Sequence, residues 1–439
     1  IPFLGLLLSI AVMPLLRPLF WHHNYGKISA FWAILFLVPF SIFNGIDISL
    51  YYFLHTILLE YFPFIIILLS LYTISGGIHI SGKFSGTPQS NVFIIIIGTL
   101  LASWVGTTGA SILLIRPLLN ANKWRKYSVH TVIFFIFLVS NIGGALTPLG
   151  DPPLFLGFLQ GVSFFWTTKN LFIPMLIIST VLFIIYYFID TYYYKKEDIR
   201  TNEEYMDKTF SINGKLNMIL LLCVVFTVLI SGIWNLNINL DIFNIHLKLQ
   251  NIIRDFLLLL FTFISWQYSA GEIRIKNHFT WFPIKEVAKL FAGIFITIIP
   301  AILILQSGTD GALYPLINLV SDNDGSPFNL MYFWLTGILS AFLDNAPTYL
   351  VFFNLASSSS MGEVLPAEYL MNEIPITLIA ISAGAVFMGA ISYIGNAPNF
   401  MIKSIAEENK IKMPSFFGYM VWSILILIPI FIIFSIICF

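Results

Sequence analysis

Apolar segments of about twenty residues recur along nearly the whole chain, and this recurrence restricts the folds that the chain can adopt. A helix needs about 20 residues to cross a hydrocarbon core of about 30 Å. The segments lie near residues 2–16, 28–45, 57–76, 127–160, 171–194, 215–235, 251–269, 287–306, 374–405 and 414–437. With 58% hydrophobic and 10% charged residues, the chain is unlike soluble globular proteins. We therefore predict an all-α, multi-pass integral membrane protein with ten spans.

Two further apolar stretches, residues 91–119 and 328–357, have arms that are predicted to be too short to span. Polar sequences, GTTGAS and DNAPT, separate the arms. Each stretch is predicted to be a re-entrant hairpin, which enters and leaves on one side of the membrane. Every Lys and Arg except Lys169, Lys248 and Arg254 then falls on one side, as the positive-inside rule requires. The first hairpin therefore enters from the inside and the second from the outside.

Two segments of the sequence repeat each other. GALTPLGDPPLF (144–155) matches GAISYIGNAPNF (389–400), so that Asp151 falls on Asn396, and a similar alignment of the hairpins pairs Val105 with Asp344. Because the hairpins enter from opposite faces, the halves are predicted to be inverted-topology repeats, an arrangement found in many secondary transporters. Each repeat has about five transmembrane helices and one hairpin. The predicted organisation is a first repeat at 1–194, a cytoplasmic linker at 195–214 and a second repeat at 215–439.

Glycine and proline are predicted to break one helix in each repeat, at 127–160 and at 374–405, near the middle of the membrane. A broken helix exposes backbone groups that each cost several kcal/mol in hydrocarbon unless something binds them. Helix N-termini attract anions there and C-termini attract cations. Asp151 and Asp344 are the carboxylates nearest the membrane centre, and we expect them to bind a cation or a proton. Alternatively, Asp151 serves as the N-cap of the following half-helix.

Neutral polar residues surround these acids in the sequence. Three asparagines offer oxygen atoms suited to sodium, or they are structural amides. Five hydroxyl residues either bind an ion or satisfy the broken backbone: Thr107, Thr108, Ser111, Thr147 and Ser392. Glu60 and Glu286 are expected near helix ends, with their carboxylates at the membrane interface. The candidate ion-binding residues are Asp344, Asn345, Asp151, Asn396, Gly150, Gly395, Thr147, Ser392, Thr107, Thr108 and Asn399, with Asp344, Asn345 and Asn396 as the sodium ligands.

Several function classes are disfavoured by the sequence. The formal net charge is zero and the basic residues lie in short loops, so no nucleic-acid partner is expected. No phosphate-binding loop, nucleotide fingerprint or Ser/His/Asp set is present, which disfavours an enzyme or an ATP-driven pump. We expect no cofactor, only transported sodium ions and protons.

The sequences SNIGGALTPLGDPPLF and LSAFLDNAPTY make the chain resemble the ion transporter superfamily over nearly its full length. This superfamily includes NhaD-type sodium/proton antiporters, arsenite permeases, and citrate and dicarboxylate transporters. Within it, the chain is similar to the citrate transporter branch, whose members are often called sodium/proton antiporters. The resemblance implies a scaffold with a moving transport domain, a homodimer, and a site at the hairpin tips and broken helices.

The resemblance assigns sodium binding to the positions of Asp344, Asn345, Gly395 and Asn396. The first hairpin departs from the antiporter pattern, because GTT stands where those antiporters have an acid and an amide. Neither tip carries the Ser-Asn-Thr motif of the dicarboxylate carriers. The expected function is sodium/proton antiport across a bacterial inner membrane. The alternative is transport of citrate or another carboxylate coupled to cations or protons; an arsenite or anion permease and a channel are less favoured.

Overall fold

The computed structural model describes residues 1–82, 84–197, 211–234, 236, 238–306, 314–322, 326–358 and 365–439. Within these ranges the protein is mostly helical, which confirms the predicted all-α class. The first nine helices are α1 (Pro2–Leu16), α2 (Pro18–Asn44), α3 (Ile46–Thr56), α4 (Phe62–Ser75), α5 (Pro88–Val105), α6 (Thr107–Ala121), α7 (Val129–Leu138), α8 (Pro152–Leu159) and α9 (Trp166–Tyr194).

Eleven helices follow in the second half of the chain. They are α10 (Lys215–Ile233), α11 (Leu249–Tyr268), α12 (Gly271–Lys276), α13 (Phe282–Gln306), α14 (Tyr314–Leu319), α15 (Asn329–Leu343), α16 (Asn345–Ser357), α17 (Pro366–Asn372), α18 (Pro375–Met388), α19 (Ala397–Glu408) and α20 (Phe416–Cys438). Four short strands form two antiparallel pairs, β1 (His79–Ser81) with β2 (Ser211–Asn213) and β3 (Asn239–Ile242) with β4 (Ile245–Lys248).

In the described part of the chain, nine helices are long and apolar enough to cross a membrane, or ten if one bent pair counts as a single span. Three predictions about these helices are wrong in detail. The helix α2 begins at Pro18, so the predicted loop before residue 28 is helical. The third span begins at Ile46, because a π-helical turn, Ile57–Tyr61, joins α3 to α4. The hairpin arm α5 has 18 residues and is long enough to span by itself.

The predicted linker at 195–214 lies mostly outside the described residues. Its residues 211–213 form β2, which pairs with β1 in the segment that follows α4. The helices α7 and α18 are buried on nearly all faces, as expected for segments that are apolar all round. These two half-helices therefore run through the interior of the protein and end beside its centre.

Both broken helices repeat one backbone path. After α7, a 3₁₀ turn leads to extended Thr147 (φ −138°, ψ 162°), and Asp151 (φ −142°, ψ 143°) precedes α8. After α18, a 3₁₀ turn leads to extended Ser392 (φ −131°, ψ 166°), and Asn396 (φ −154°, ψ 139°) precedes α19. The aligned sequences therefore fold alike. The division into inverted repeats within a membrane stays a prediction.

Glycine is required where each broken helix folds back on itself. A Cβ atom on Gly150 would lie 2.1 Å from the carbonyl oxygen of Gly144, and one on Gly395 would lie 2.5 Å from the carbonyl oxygen of Gly389. Atoms cannot approach so closely, so a side chain at either position would force the two segments apart. This close approach explains why the same Gly-Gly spacing occurs in both copies.

The hairpin tips correspond at Gly106 and Asp344. Gly106 has φ 80° and ψ 148°, and Asp344 has φ 74° and ψ 141°. This match shifts the predicted pairing by one residue, so that Asp344 corresponds to Gly106 instead of Val105. Since L-residues rarely adopt this conformation, the Asp344 backbone is strained where its glycine counterpart is not.

Candidate functional site

Asp151 is the centre of a buried hydrogen-bond cluster that joins both hairpins and both broken helices. Its Oδ1 accepts hydrogen bonds from Thr107 Oγ1 at 3.0 Å and from Asn396 Nδ2 at 2.9 Å, and its Oδ2 accepts one from Asn345 Nδ2 at 2.5 Å. All four side chains are buried. Each partner is uncharged, so the carboxylate is held by neutral donors without an ion pair in the described structure.

Four helix N-termini converge on this cluster. Thr107 and Asn345 are the first residues of α6 and α16, while Asp151 and Asn396 directly precede α8 and α19. The positive ends of the helix dipoles therefore surround the Asp151 carboxylate, which favours negative charge at this point. The backbone N–H of Thr107 also donates to the carbonyl oxygen of Gly150 at 2.7 Å, so the first hairpin tip is fastened to the first break.

Asp151 and Asp344 differ in whether the side chain caps the helix that follows. The side chain of Asp151 makes no capping bond to α8, which contradicts the alternative that it serves as an N-cap. Asp344 does cap a helix, because its Oδ1 accepts from the backbone N–H of Ala346 at 3.2 Å. Asp344 directly precedes Asn345, whose amide nitrogen donates to Asp151 Oδ2, so the two acids are neighbours in the site. Asp344 thus lies beside the cluster and Asp151 at its centre.

Asn345 has the clearest free ligand atom among the candidates. Its Oδ1 is buried and accepts no hydrogen bond from any residue in the described ranges. An unsatisfied buried polar atom costs about 1–3 kcal/mol, so this oxygen gains from any cation or donor that approaches it. Because its amide nitrogen donates to Asp151, the free oxygen lies next to the carboxylate.

The remaining candidates mostly satisfy the broken backbone. Thr147 Oγ1 donates to the carbonyl oxygen of Ser103, and Ser392 Oγ donates to that of Ala341, so the two breaks repeat this bond. Asn399 Nδ2 donates to two carbonyl oxygens, at 2.8 and 2.9 Å, and its Oδ1 accepts from Asn141. These three side chains have their hydrogen-bonding capacity committed within the protein.

Asn141 is a further residue of this buried cluster that was not among the candidates predicted from the sequence. Its Nδ2 donates to the Ile136 carbonyl oxygen at 2.8 Å and to Asn399 Oδ1 at 2.7 Å, while its Oδ1 accepts from Asn396 Nδ2 at 3.3 Å. The residue therefore links the end of α7 to the second break. A buried asparagine at the end of an apolar half-helix was the signal in the sequence that could have identified it.

A cleft leads from the protein surface to Asp151. Its cavity volume is about 90 Å³, enough for several water molecules. The first turns of three half-helices line it with Thr107, Thr108, Pro152 and Pro398, and the rest of its wall is mainly apolar. No Lys, Arg or His contributes to this lining among the described residues. A small solute in the cleft would thus meet helix N-termini and one carboxylate.

Interrupted helices that meet at a buried carboxylate, reached by a cleft between apolar spans, define a multi-pass membrane transporter of the secondary class. The sequence comparison agrees with this class. The chain belongs to the family described as "putative citrate transport", whose sequence model matches residues 1–439. This match confirms the resemblance to the citrate transporter branch of the ion transporter superfamily. No curated protein matches the chain.

Proposed function

We propose that the protein exchanges a cation, most simply sodium, for protons, with Asp151 as the group that binds each in turn. The observation that carries this proposal is the buried Asp151 carboxylate, which three neutral side chains hold and which no basic side chain among the described residues neutralises. An ionised acid at mid-membrane costs at least about 2.5 kcal/mol. A proton or a cation at Asp151 removes that cost, so the two compete for the same carboxylate.

The surrounding atoms suit a hard cation. The free Oδ1 of Asn345 and the carboxylate of Asp151 are oxygen ligands, and Asp344, which directly precedes Asn345, supplies a second negative charge beside them. The predicted topology puts the part of the cleft that Pro283 and Met401 line towards the cytoplasmic side. Exchange then requires movement of the broken helices and hairpins that exposes Asp151 to the other side. A bacterial inner membrane and a homodimer remain expectations from the resemblance.

The second candidate is carboxylate transport coupled to cations or protons. It is favoured by the three helix N-termini in the cleft, which attract anions, and by the citrate description of the family. In this scheme the carboxylates of the substrate bind at the N-termini of α6, α8 and α19. A cation then lies between the substrate and Asp151, because two unscreened carboxylates would repel each other.

Purified protein in sealed vesicles with an internal pH dye separates the two candidates. Sodium pulses that move protons in the absence of any organic acid support antiport, whereas proton movement only after citrate is added supports the second candidate. Asp151→Asn should abolish coupled movement in either case. Asp47→Asn, the same chemical change at an exposed position in α3, is the matched control and should leave transport unchanged. Full activity of Asp151→Asn would remove Asp151 from the mechanism.

A further inference from the structure

Glu60 lies in the middle of a transmembrane helix and not near its end. The sequence prediction began this span at residue 57, but the helix runs from Ile46 to Ser75 and Glu60 is close to its midpoint. The residue belongs to the π-helical turn, and its side chain is half-buried. Single π turns within α-helices occur often at functional sites, and a carboxylate within a span is costly unless it has a role.

The carboxylate of Glu60 contacts the half-helix that carries Asp151. Its Oε1 accepts a hydrogen bond from Gln160 Nε2 at 3.2 Å, and Gln160 is the C-cap of α8, the half-helix that Asp151 directly precedes. At about 1.5 Å per residue, the two ends of α8 are about 13 Å apart. One half-helix therefore joins a carboxylate at each of its ends.

Nearby charged groups do not neutralise Glu60. The π turn packs against α3, α4, α8 and α13, whose charged or protonatable side chains, apart from tyrosines, are Asp47, His55, Lys285, Glu286 and Lys289. The Lys289 ammonium lies 5.5 Å from the centre of the Tyr25 ring, and neither Lys289 nor Glu60 forms an ion pair within the described residues. The π turn itself is anchored, because Tyr61 Oη donates to the carbonyl oxygen of Ala288 in α13 at 3.0 Å.

We propose that Glu60 is a second proton-binding carboxylate of the transport cycle, and that its protonation state is transmitted to α8 through Gln160. An ionised carboxylate accepts a stronger hydrogen bond than a protonated one. Proton binding at Glu60 therefore weakens the bond that holds the far end of α8, and proton loss restores it. The helix that carries Asp151 is thus held or released by a proton at its opposite end. This inference rests on the proposed proton-coupled function.

Chemical labelling tests the proton-binding part without requiring transport. Dicyclohexylcarbodiimide adds to protonated carboxyl groups in apolar surroundings, and mass spectrometry of the digested protein locates the adduct. We expect an adduct on Glu60 in vesicles, with a yield that falls as the pH rises, and none on Glu368, an exposed glutamate in α17. Absence of an adduct on Glu60 at every pH would overturn the proposal.

Transport by Glu60→Gln tests the coupling part. The variant keeps the size of the side chain and an oxygen that accepts from Gln160, so monodisperse elution in detergent is expected. If transport requires two proton-binding groups, its rate approaches second order in proton concentration. Glu60→Gln should lower this reaction order towards one. Glu60→Asp should retain the steep dependence, and Glu368→Gln is the matched control. An unchanged order in Glu60→Gln would refute this inference, whereas activity of Asp151→Asn would refute the proposed function separately.

Discussion

Exchanging Asp151 and Asn396 tests whether the two broken helices are interchangeable at the site. The residues occupy equivalent positions, their backbone dihedrals are alike, and Asn396 Nδ2 donates to Asp151 Oδ1 at 2.9 Å. The double variant Asp151→Asn/Asn396→Asp preserves the composition and the net charge. If the pseudo-symmetry were complete, the exchanged pair would work as well as the native one.

The structure predicts that the exchange fails, because Asn396 has further partners. Its Nδ2 also faces the carbonyl oxygen of Ser140 at 3.1 Å and Asn141 Oδ1 at 3.3 Å. Asn141 cannot rotate its amide to compensate, since both hydrogens of its Nδ2 are already donated. A carboxylate at position 396 has no N–H group, so the carbonyl oxygen of Ser140 and Oδ1 of Asn141 would lose their donor. At about 1–3 kcal/mol each, Asn396→Asp should lower the free energy of unfolding by about 2–6 kcal/mol.

Thermal unfolding in detergent and sodium-driven proton movement in vesicles measure the two consequences. We expect a lower melting temperature for Asn396→Asp than for the wild type, and no recovery of transport in the double variant. Asp151→Asn alone should be less destabilising than Asn396→Asp, because removal of a buried charge offsets the lost hydrogen bond. Native stability together with restored transport in the double variant would refute the reasoning.

Three further variants follow from the same contacts. Asp344→Gly should raise the melting temperature by removing backbone strain of about 1–3 kcal/mol, less the stability of the lost helix cap, while it impairs transport. A lower melting temperature or unimpaired transport would contradict this. Thr107→Val removes a hydrogen-bond donor that stabilises the ionised form of Asp151 by about 1.5–3 kcal/mol. The pH of half-maximal transport should therefore rise by about one to two units. A shift to lower pH would contradict this prediction. Asp190 binds Arg125 Nη2 at 2.6 Å with both side chains buried, so Asp190→Asn should cost about 3–5 kcal/mol of folding free energy, measured as a large drop in melting temperature.

The sequence was sufficient to predict the broken helices, because Gly and Pro leave few other conformations open within an apolar span. The Gly150 and Gly395 positions illustrate this, since close contact with Gly144 and Gly389 permits no side chain. Apolar periodicity was not sufficient for the third span. A π turn has no distinct sequence pattern, and Pro63, the second residue of α4, does not end the span, so Glu60 was predicted at a helix end.

The partners of each acid could not be predicted, because they depend on distant packing. Asp151 precedes Pro-Pro and fits an N-cap, yet its carboxylate bonds to residues 44, 194 and 245 positions away. Asp344 has the tip conformation of Gly106 although its sequence alignment favoured Val105. The sequence therefore identified both acids as candidates. Only the tertiary contacts distinguish Asp151, at the centre of the cluster, from Asp344, which caps a helix.

Calorimetric titration of the purified protein with sodium, repeated across pH, tests the central role of Asp151 most directly. If sodium and protons compete for this carboxylate, sodium binding should weaken as the pH falls and should release protons to the buffer. Asp151→Asn should lose this binding, while Asp47→Asn should retain it. Sodium binding of native affinity and pH dependence in Asp151→Asn would contradict the account.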